Sequence, residues 1–361
     1  MRISLYKVAS MILVTLFASM KAHASSFDEE TFKRLTPEER ISFAVACLQA
    51  REQLLENFSY QLVMRTSIYE ANDRKEDELP DWKKKGDLAE WRYAFIRSGD
   101  KFLVQGQQVA WDAKTLQDIT QSWDGRERHG MTKPVNGARA SIIIAGKEPS
   151  AVDNVRYNIL LGYRAPGESM APSRWLRLSV GKPQTSVDVD IDRTSGKPLL
   201  MIRISREVYN HNRLWLDPAR GYLPVRYEYR GGIRDWADKN PPNWSWVAVD
   251  EAKQFGDAWV PMKLTVHTGI TDSMTQQIYE VQQFSLGKPA PHDLTFDFPA
   301  GILIVDAIRH QAYEIQKDGS KKFLDYVNPD NGKLITPKEQ AVAEAAATQA
   351  AAQPTTKPAP K

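Results

Sequence analysis

Cysteine is almost missing from this chain: one residue, Cys47, in 361. An internal disulfide is excluded, so stability has to come from an apolar core. Cys47 falls in a helical pattern beside Ala44 and Leu48 and reads as a small buried hydrophobe. Long apolar runs are also missing. The first, Val8 to Met20, is about 13 residues, short of the ~20 a spanning helix needs, and no later segment is apolar enough to cross a bilayer. Catalytic signatures are missing too: there is no G-x-S-x-G, no HExxH, no P-loop and no dinucleotide fingerprint. No metal site and no cofactor are expected, and the chain is not expected to be an enzyme.

The opening residues carry an export signal. Arg2 and Lys7 form a charged n-region, Val8 to Met20 the apolar stretch, and Ala22-His23-Ala24 a cleavage site. No twin arginine is present, and no cysteine follows the cleavage point to take a lipid. A signal peptide over 1–24 places the mature chain in the periplasm or outside the cell. Its removal takes away Arg2, Lys7 and Lys21, so the 48 Lys+Arg fall by three to match the 45 Asp+Glu. The basic balance therefore belongs to the signal, and nucleic acid is not an expected partner.

Thr36-Pro37-Glu38-Glu39 opens a helix, with Thr36 and Glu39 as a capping box and Pro37 at the first helical position. Ile41, Ala44, Val45, Leu48 and Leu55 form its apolar stripe. Period-2 alternation follows over Phe58 to Ile68 and, after a charged loop from Glu70 to Lys85, over Leu88 to Arg97, which Ser98-Gly99-Asp100 turns into Lys101 to Gln105. Asp118 to Trp123, Trp175 to Val180, Thr185 to Ile191 and Pro198 to Val208 read as further strands, and Ala151 to Tyr163 as a helix. The central stretch NRLWLDPARGYLPVRYEYRG, Asn212 to Gly231, reads as two strands around an Asp217-Pro218…Gly221 turn. Pro224 puts its strand at an edge or turns its nitrogen outward. Trp244 to Gln254, Ala258 to Thr268 and Met274 to Leu286 alternate again, and short strands follow near Ile302 and Gln311. From Ala341 the composition collapses to Ala, Gln, Thr, Pro and Lys. One domain over 25–335 and a disordered tail over 336–361 are expected, with no internal repeat.

Asp188, Asp190 and Asp192 alternate on one strand face, but the Gly and distal Glu of a calcium loop are not at the right spacing. His129, His211, His267, His292 and His310 form no i, i+4 helical pair. What stands out instead is aromatic and aliphatic alternation. Tyr60, Leu62 and Met64 share one face, as do Trp91, Tyr93 and Phe95, Val225 and Tyr227, and Met262, Leu264 and Val266. Such faces suit either a packed core or the lining of an apolar cavity.

ENFSYQLVMRT and the later LWLDPARGYLPVRYEYR resemble the lipoprotein-carrier (LolA/LolB-like) superfamily, in its large secreted bacterial members. Phe296 to Gly301, Asp306 and Tyr313 to Gly319 are similar to the end of the sheet in those members. The resemblance spans roughly residues 36 to 320, with Lys133 to Lys182 as an extra middle segment. It implies a mainly β fold with α: a single large antiparallel sheet curved into an unclosed half-barrel, with helices on its concave face. It also implies a non-enzymatic periplasmic binder of an apolar ligand, an acyl chain, lipid or lipoprotein, held by the faces named above. The alternative is an envelope sensor or scaffold with a protein partner. A secreted hydrolase ranks last, for want of a nucleophile–base pattern.

Overall fold

The structure is a computed structural model that describes most of residues 27–327, together with residue 341. The stretches 73–80, 110–115, 135–140, 145–154, 232–242 and most of 291–297, with a few shorter ones, lie outside the described residues, as do the expected signal and nearly all of the tail. Strand accounts for 61% and helix for 18% of the described structure. The protein is mainly β, with an antiparallel sheet that does not close into a barrel.

Two compact units are described. The first joins the described part of 27–54 to 156–274. It holds the helices α1 (Glu29–Lys33), α2 (Pro37–Leu54), α3 (Val155–Leu161) and α4 (Pro172–Arg177). Its six strands lie in chain order, each antiparallel to the next. They are β7 (Thr185–Ile191), β8 (Pro198–Glu207), β9 (Asn210–Asp217), β10 (Leu223–Gly231), β11 (Asn243–Phe255) and β12 (Ala258–Ile270). The second unit joins 55–155 to the residues from 275 onward. It contains β1 (Asn57–Asn72), β2 (Asp81–Ser98), β3 (Lys101–Val109), β4 (Leu116–Trp123), β5 (Arg128–Pro134) and β6 (Ser141–Ile144) as a meander. It also contains β13 (Ser273–Leu286), β14 (Leu303–Asp306), β15 (Gln311–Ile315) and β16 (Lys321–Tyr326). β14 joins β6 in parallel and carries β15 and β16 beyond it.

The capping box forms in both directions. The Glu39 amide donates to Thr36 Oγ1 at 3.3 Å, and the Thr36 amide to Glu39 Oε2 at 2.8 Å. Ile41, Ala44, Val45, Cys47 and Leu48 of α2 are buried, as the stripe predicts. Within its unit α2 packs on α4 and β7.

Three local readings are corrected. Trp175 to Val180 is no strand: α4 and a following turn occupy it. Trp175 and Leu176 are both buried, while Leu178 and Val180 are exposed, a helical pattern that six residues are too few to separate from alternation. Pro172 at the first helical turn was the available signal. Helix α4 has no capping side chain of its own; Glu52 of α2 accepts from the Ser173 amide at 2.7 Å and its hydroxyl at 2.6 Å. Second, the charged stretch after Glu70 is partly strand, because β1 and β2 pair out to Asn72 and Asp81. Third, of the two alternatives offered for Pro224, the edge position is excluded, while β11 pairs with β10 only from Arg226 on and leaves the proline nitrogen without a ladder partner there. β10 pairs on both sides, and the register breaks between Pro224 and Arg226, a bulge that relieves the missing N–H.

The central hairpin turns through a 3-10 segment, Pro218–Arg220, capped by Asp217, whose carboxylate accepts from the Ala219 amide at 2.9 Å. Gly221 and Tyr222 then both adopt φ of 59°. For a tyrosine this is an outlier. Its hydroxyl shares a hydrogen bond with Cys47, and its ring meets Phe43 at 5.9 Å, edge to face. These helix contacts hold the turn in place.

Candidate functional site

In the second unit the β1–β2 register places Tyr60 opposite Phe95, Leu62 opposite Tyr93 and Met64 opposite Trp91. Six residues singled out from alternation therefore form three adjacent cross-strand pairs on one face. Five are buried, from 0% to 3% exposed; Trp91 is half-buried. Tyr60 and Phe95 stack at 5.2 Å, and Phe58, Phe102 and Phe284 extend the stack. Gly106 faces Tyr93 across β2–β3, and a Cβ there would lie 2.6 Å from Tyr93 Cδ1. The missing side chain lets the ring lie over the β3 backbone. At the Met64 end of the row, Thr66 Oγ1 and Trp91 Nε1 are buried and have no hydrogen-bond partner in the protein.

In the first unit one transverse row runs through Val187, Ile202, Leu214, Tyr227, Val247 and Val266, each opposite the next. All are buried, with Tyr227 the most exposed at 7%. Leu264 is buried two residues along β12 from Val266, and Met262 is half-buried two further on. Tyr227 donates its hydroxyl hydrogen to Asn212 Oδ1 at 2.8 Å, so the ring sits in the row with its polar end satisfied. Val225 departs from the expected pattern. The Pro224 bulge moves it out of phase with Tyr227, and it packs on Leu199, Met201 and Trp215 of the other face. Alternation alone could not reveal this, although Pro224 marked the place.

No protein-family model matches the chain, and no curated protein matches it. Solved structures do. A LolA superfamily protein from Nitrosomonas europaea is similar at 11% identity over 70% of this chain and 98% of its own, with a TM-score of 0.35. A domain of a putative outer membrane lipoprotein-sorting protein from Vibrio parahaemolyticus is similar at 12% identity, over 72% and 97%, at 0.33. A DUF1329 family protein from Desulfovibrio piger is similar at 8% identity, over 72% and 100%, at 0.32.

A depression of about 550 Å³ lies on the second unit, and its lining includes the polar side chains Gln61, Arg65, Glu90 and Arg92 of β1 and β2, with Gln107 and Gln282. Its charges are mutually satisfied. Arg65 reaches Glu280 at 2.8 Å and Glu90 at 3.1 Å, and Arg92 reaches Glu90 at 2.9 Å. Hydrogen bonds from Arg92 and Arg65 hold the Glu90 carboxyl below the usual carboxylate range. Leu62 and Tyr93 touch this depression as well as the apolar row.

The alternation-based reading missed Arg51, which is 2% exposed on α2. It lies three residues past Leu48 on the apolar stripe, and that position was the available signal. Its Nε and Nη2 donate to Leu161 O at 2.9 and 2.6 Å, and Nη2 also to Trp259 O at 2.7 Å. Burial pulls its pKa down to about 9. The guanidinium thus ties α2 to the C-terminal end of α3 and to β12, where helix-end carbonyls favour a cation. Gly162 makes room for it: φ is +83°, and a Cβ would fall 2.6 Å from Arg51 Nε.

Proposed function

We propose that the protein is an exported, non-enzymatic binder of an apolar ligand with a polar end, the acyl chain of a lipid or lipoprotein. The observation that carries this reading is the row of the second unit. Three cross-strand apolar pairs, Tyr60/Phe95, Leu62/Tyr93 and Met64/Trp91, run up to two buried polar atoms, Thr66 Oγ1 and Trp91 Nε1, that the protein leaves unpartnered. Buried polar atoms are normally hydrogen-bonded, so a donor and a hydroxyl beside a long apolar face suit the head of an amphipathic chain. Tyr227, Met262, Leu264 and Val266 supply a second apolar face in the first unit. Each methylene buried against such a face contributes about 0.8 kcal/mol.

The test begins with protein purified from the envelope fraction, whose mature N-terminus is expected at Ser25. An organic extract is expected to hold lipid in stoichiometric amount, and the stripped protein to take up a fluorescent fatty acid. Leu62→Glu places an unpaired charge in the row and abolishes uptake. Thr66→Val with Trp91→Phe keeps the row apolar and lowers affinity for the free acid more than for its methyl ester. An intact Met1, or no lipid and no uptake with Leu62→Glu and Leu264→Glu both globally unfolded, overturns the reading. In that case a protein captured from the envelope would favour the sensor or scaffold.

A further inference from the structure

The other face of the first unit's sheet carries a different chemistry. One residue out of phase with the Val187–Val266 row, the same registers align Ser186, Arg203, Arg213, Glu228, Trp246 and His267. The next row on that face brings Met201, Trp215 and Arg226 together, and the one on its other side brings His211, Arg230 and Trp244. Arg203 and Arg213 are direct cross-strand partners. Like charges opposite each other in a sheet are destabilising.

The acidic groups on this face are engaged. Glu228 takes Arg213 at 3.5 Å and Arg230 at 3.0 Å. Asp190 accepts from Trp215 Nε1 at 2.7 Å. Asp188 accepts from Ser186 at 2.9 Å and meets Arg40 at 3.5 Å. Asp250 accepts from Thr265 at 2.7 Å. Arg226 lies over the Trp215 ring at 4.5 Å and the Trp246 ring at 5.9 Å, which fixes its plane. The Nε atoms of Arg203, Arg213 and Arg226 are buried without a hydrogen-bond partner. Among the described residues, neither Arg203 nor Arg226 has a carboxylate partner.

We propose that Arg203 and Arg213, with Arg226 beside them, form a binding site for a phosphate group. Two forks from neighbouring strands match the several oxygens of one phosphate, which would cancel their mutual repulsion and give their Nε–H groups an acceptor. Even with Arg213 held by Glu228 at 3.5 Å, the Nε–H groups of all three arginines lack an acceptor, which a phosphate would supply. This site is separate from the apolar rows and does not depend on the function proposed for them.

The experiment uses the mature chain. Inorganic phosphate is titrated at low ionic strength, with arginine Nε–H resonances and calorimetry as readouts. In parallel, the protein is sedimented with vesicles of phosphatidylglycerol or of phosphatidylcholine. Saturable binding of inorganic phosphate identifies a soluble phosphate ligand. Sedimentation with phosphatidylglycerol vesicles alone identifies a lipid headgroup. In either case R203Q with R213Q is expected to lower affinity at least tenfold without lowering the thermal midpoint, since the repulsion is gone. Arg203→Lys with Arg213→Lys, which keeps the charge but not the fork, is expected to lose an intermediate amount. Arg65→Gln, an arginine already satisfied by Glu90 and Glu280, leaves binding unchanged. The proposal is overturned by no binding in either arm, by unchanged binding in R203Q with R213Q, or by an equal loss in Arg65→Gln.

Discussion

Replacing Arg51 with Met is expected to be among the most damaging single substitutions in the first unit. The side chain makes three hydrogen bonds of 2.6 to 2.9 Å to two main-chain carbonyls, Leu161 O and Trp259 O. Bonds to a charged donor contribute about 1.5–3 kcal/mol each, and an orphaned buried acceptor costs about 1–3 kcal/mol. Against this stands the recovered desolvation of the cation, whose size shows in the fall of its pKa to about 9. Met fills a similar volume and recovers some packing. The remainder is about 3–5 kcal/mol, or a thermal midpoint lower by roughly 10 °C for a unit of this size. Tryptophan fluorescence in a urea titration reads the change as a lower midpoint. Arg51→Lys is expected to fall between, because one ammonium cannot span both carbonyls with the planar fork's geometry. A Met variant as stable as the native chain would refute the reasoning, since it would mean the carbonyls do not depend on the guanidinium.

Gly162→Ala meets both a positive φ and a 2.6 Å approach to Arg51 Nε, and is expected to lower the midpoint nearly as far as Arg51→Met; the double variant should then lose less than the sum, as a double-mutant cycle reads directly. Burial pushes the Cys47 thiol up to about 12, so a disulfide reagent at pH 8 should find it unreactive until denaturant is added. The unfolded thiol ionises near its ordinary value of 9.0 while the folded one stays protonated. Its contribution to stability is therefore complete below pH 9 and is lost as pH rises toward about 12, and Cys47→Ala should flatten that limb of a pH–stability curve. Burial lowers the pKa of His267 against the opposing pull of Asp250. Its contribution is present above the ordinary histidine value and lost as pH falls through the folded one, which a proton NMR titration of the ring checks by finding a midpoint below 6.5.

Much of this architecture could be read from residue order, because period-2 alternation and helix capping are local properties. The capping box at Thr36 and Glu39, the strand Thr185 to Ile191, the turn at Asp217 to Gly221 and the two alternating sets Tyr60, Leu62, Met64 and Trp91, Tyr93, Phe95 all follow from chemistry within a few residues; that the two sets pair with each other is set by the β1–β2 register. Trp175 to Val180 failed because so short an apolar segment fits either period, and burial against the rest of its unit chose the helix. Val225 failed because one bulge at Pro224 reverses the phase of a strand, and only pairing to β9 and β11 shows where the extra residue goes. The burial of Arg51, the capping of α4 by Glu52 and the meeting of Arg203 with Arg213 depend on residues brought together from distant parts of the chain or across a strand register. No local pattern encodes those distances. Sequence by itself determined most of the alternating segments and the start of the helix after Thr36; the register between strands and the packing of α2 decided which charges are buried, which are left facing each other, and which strand faces meet.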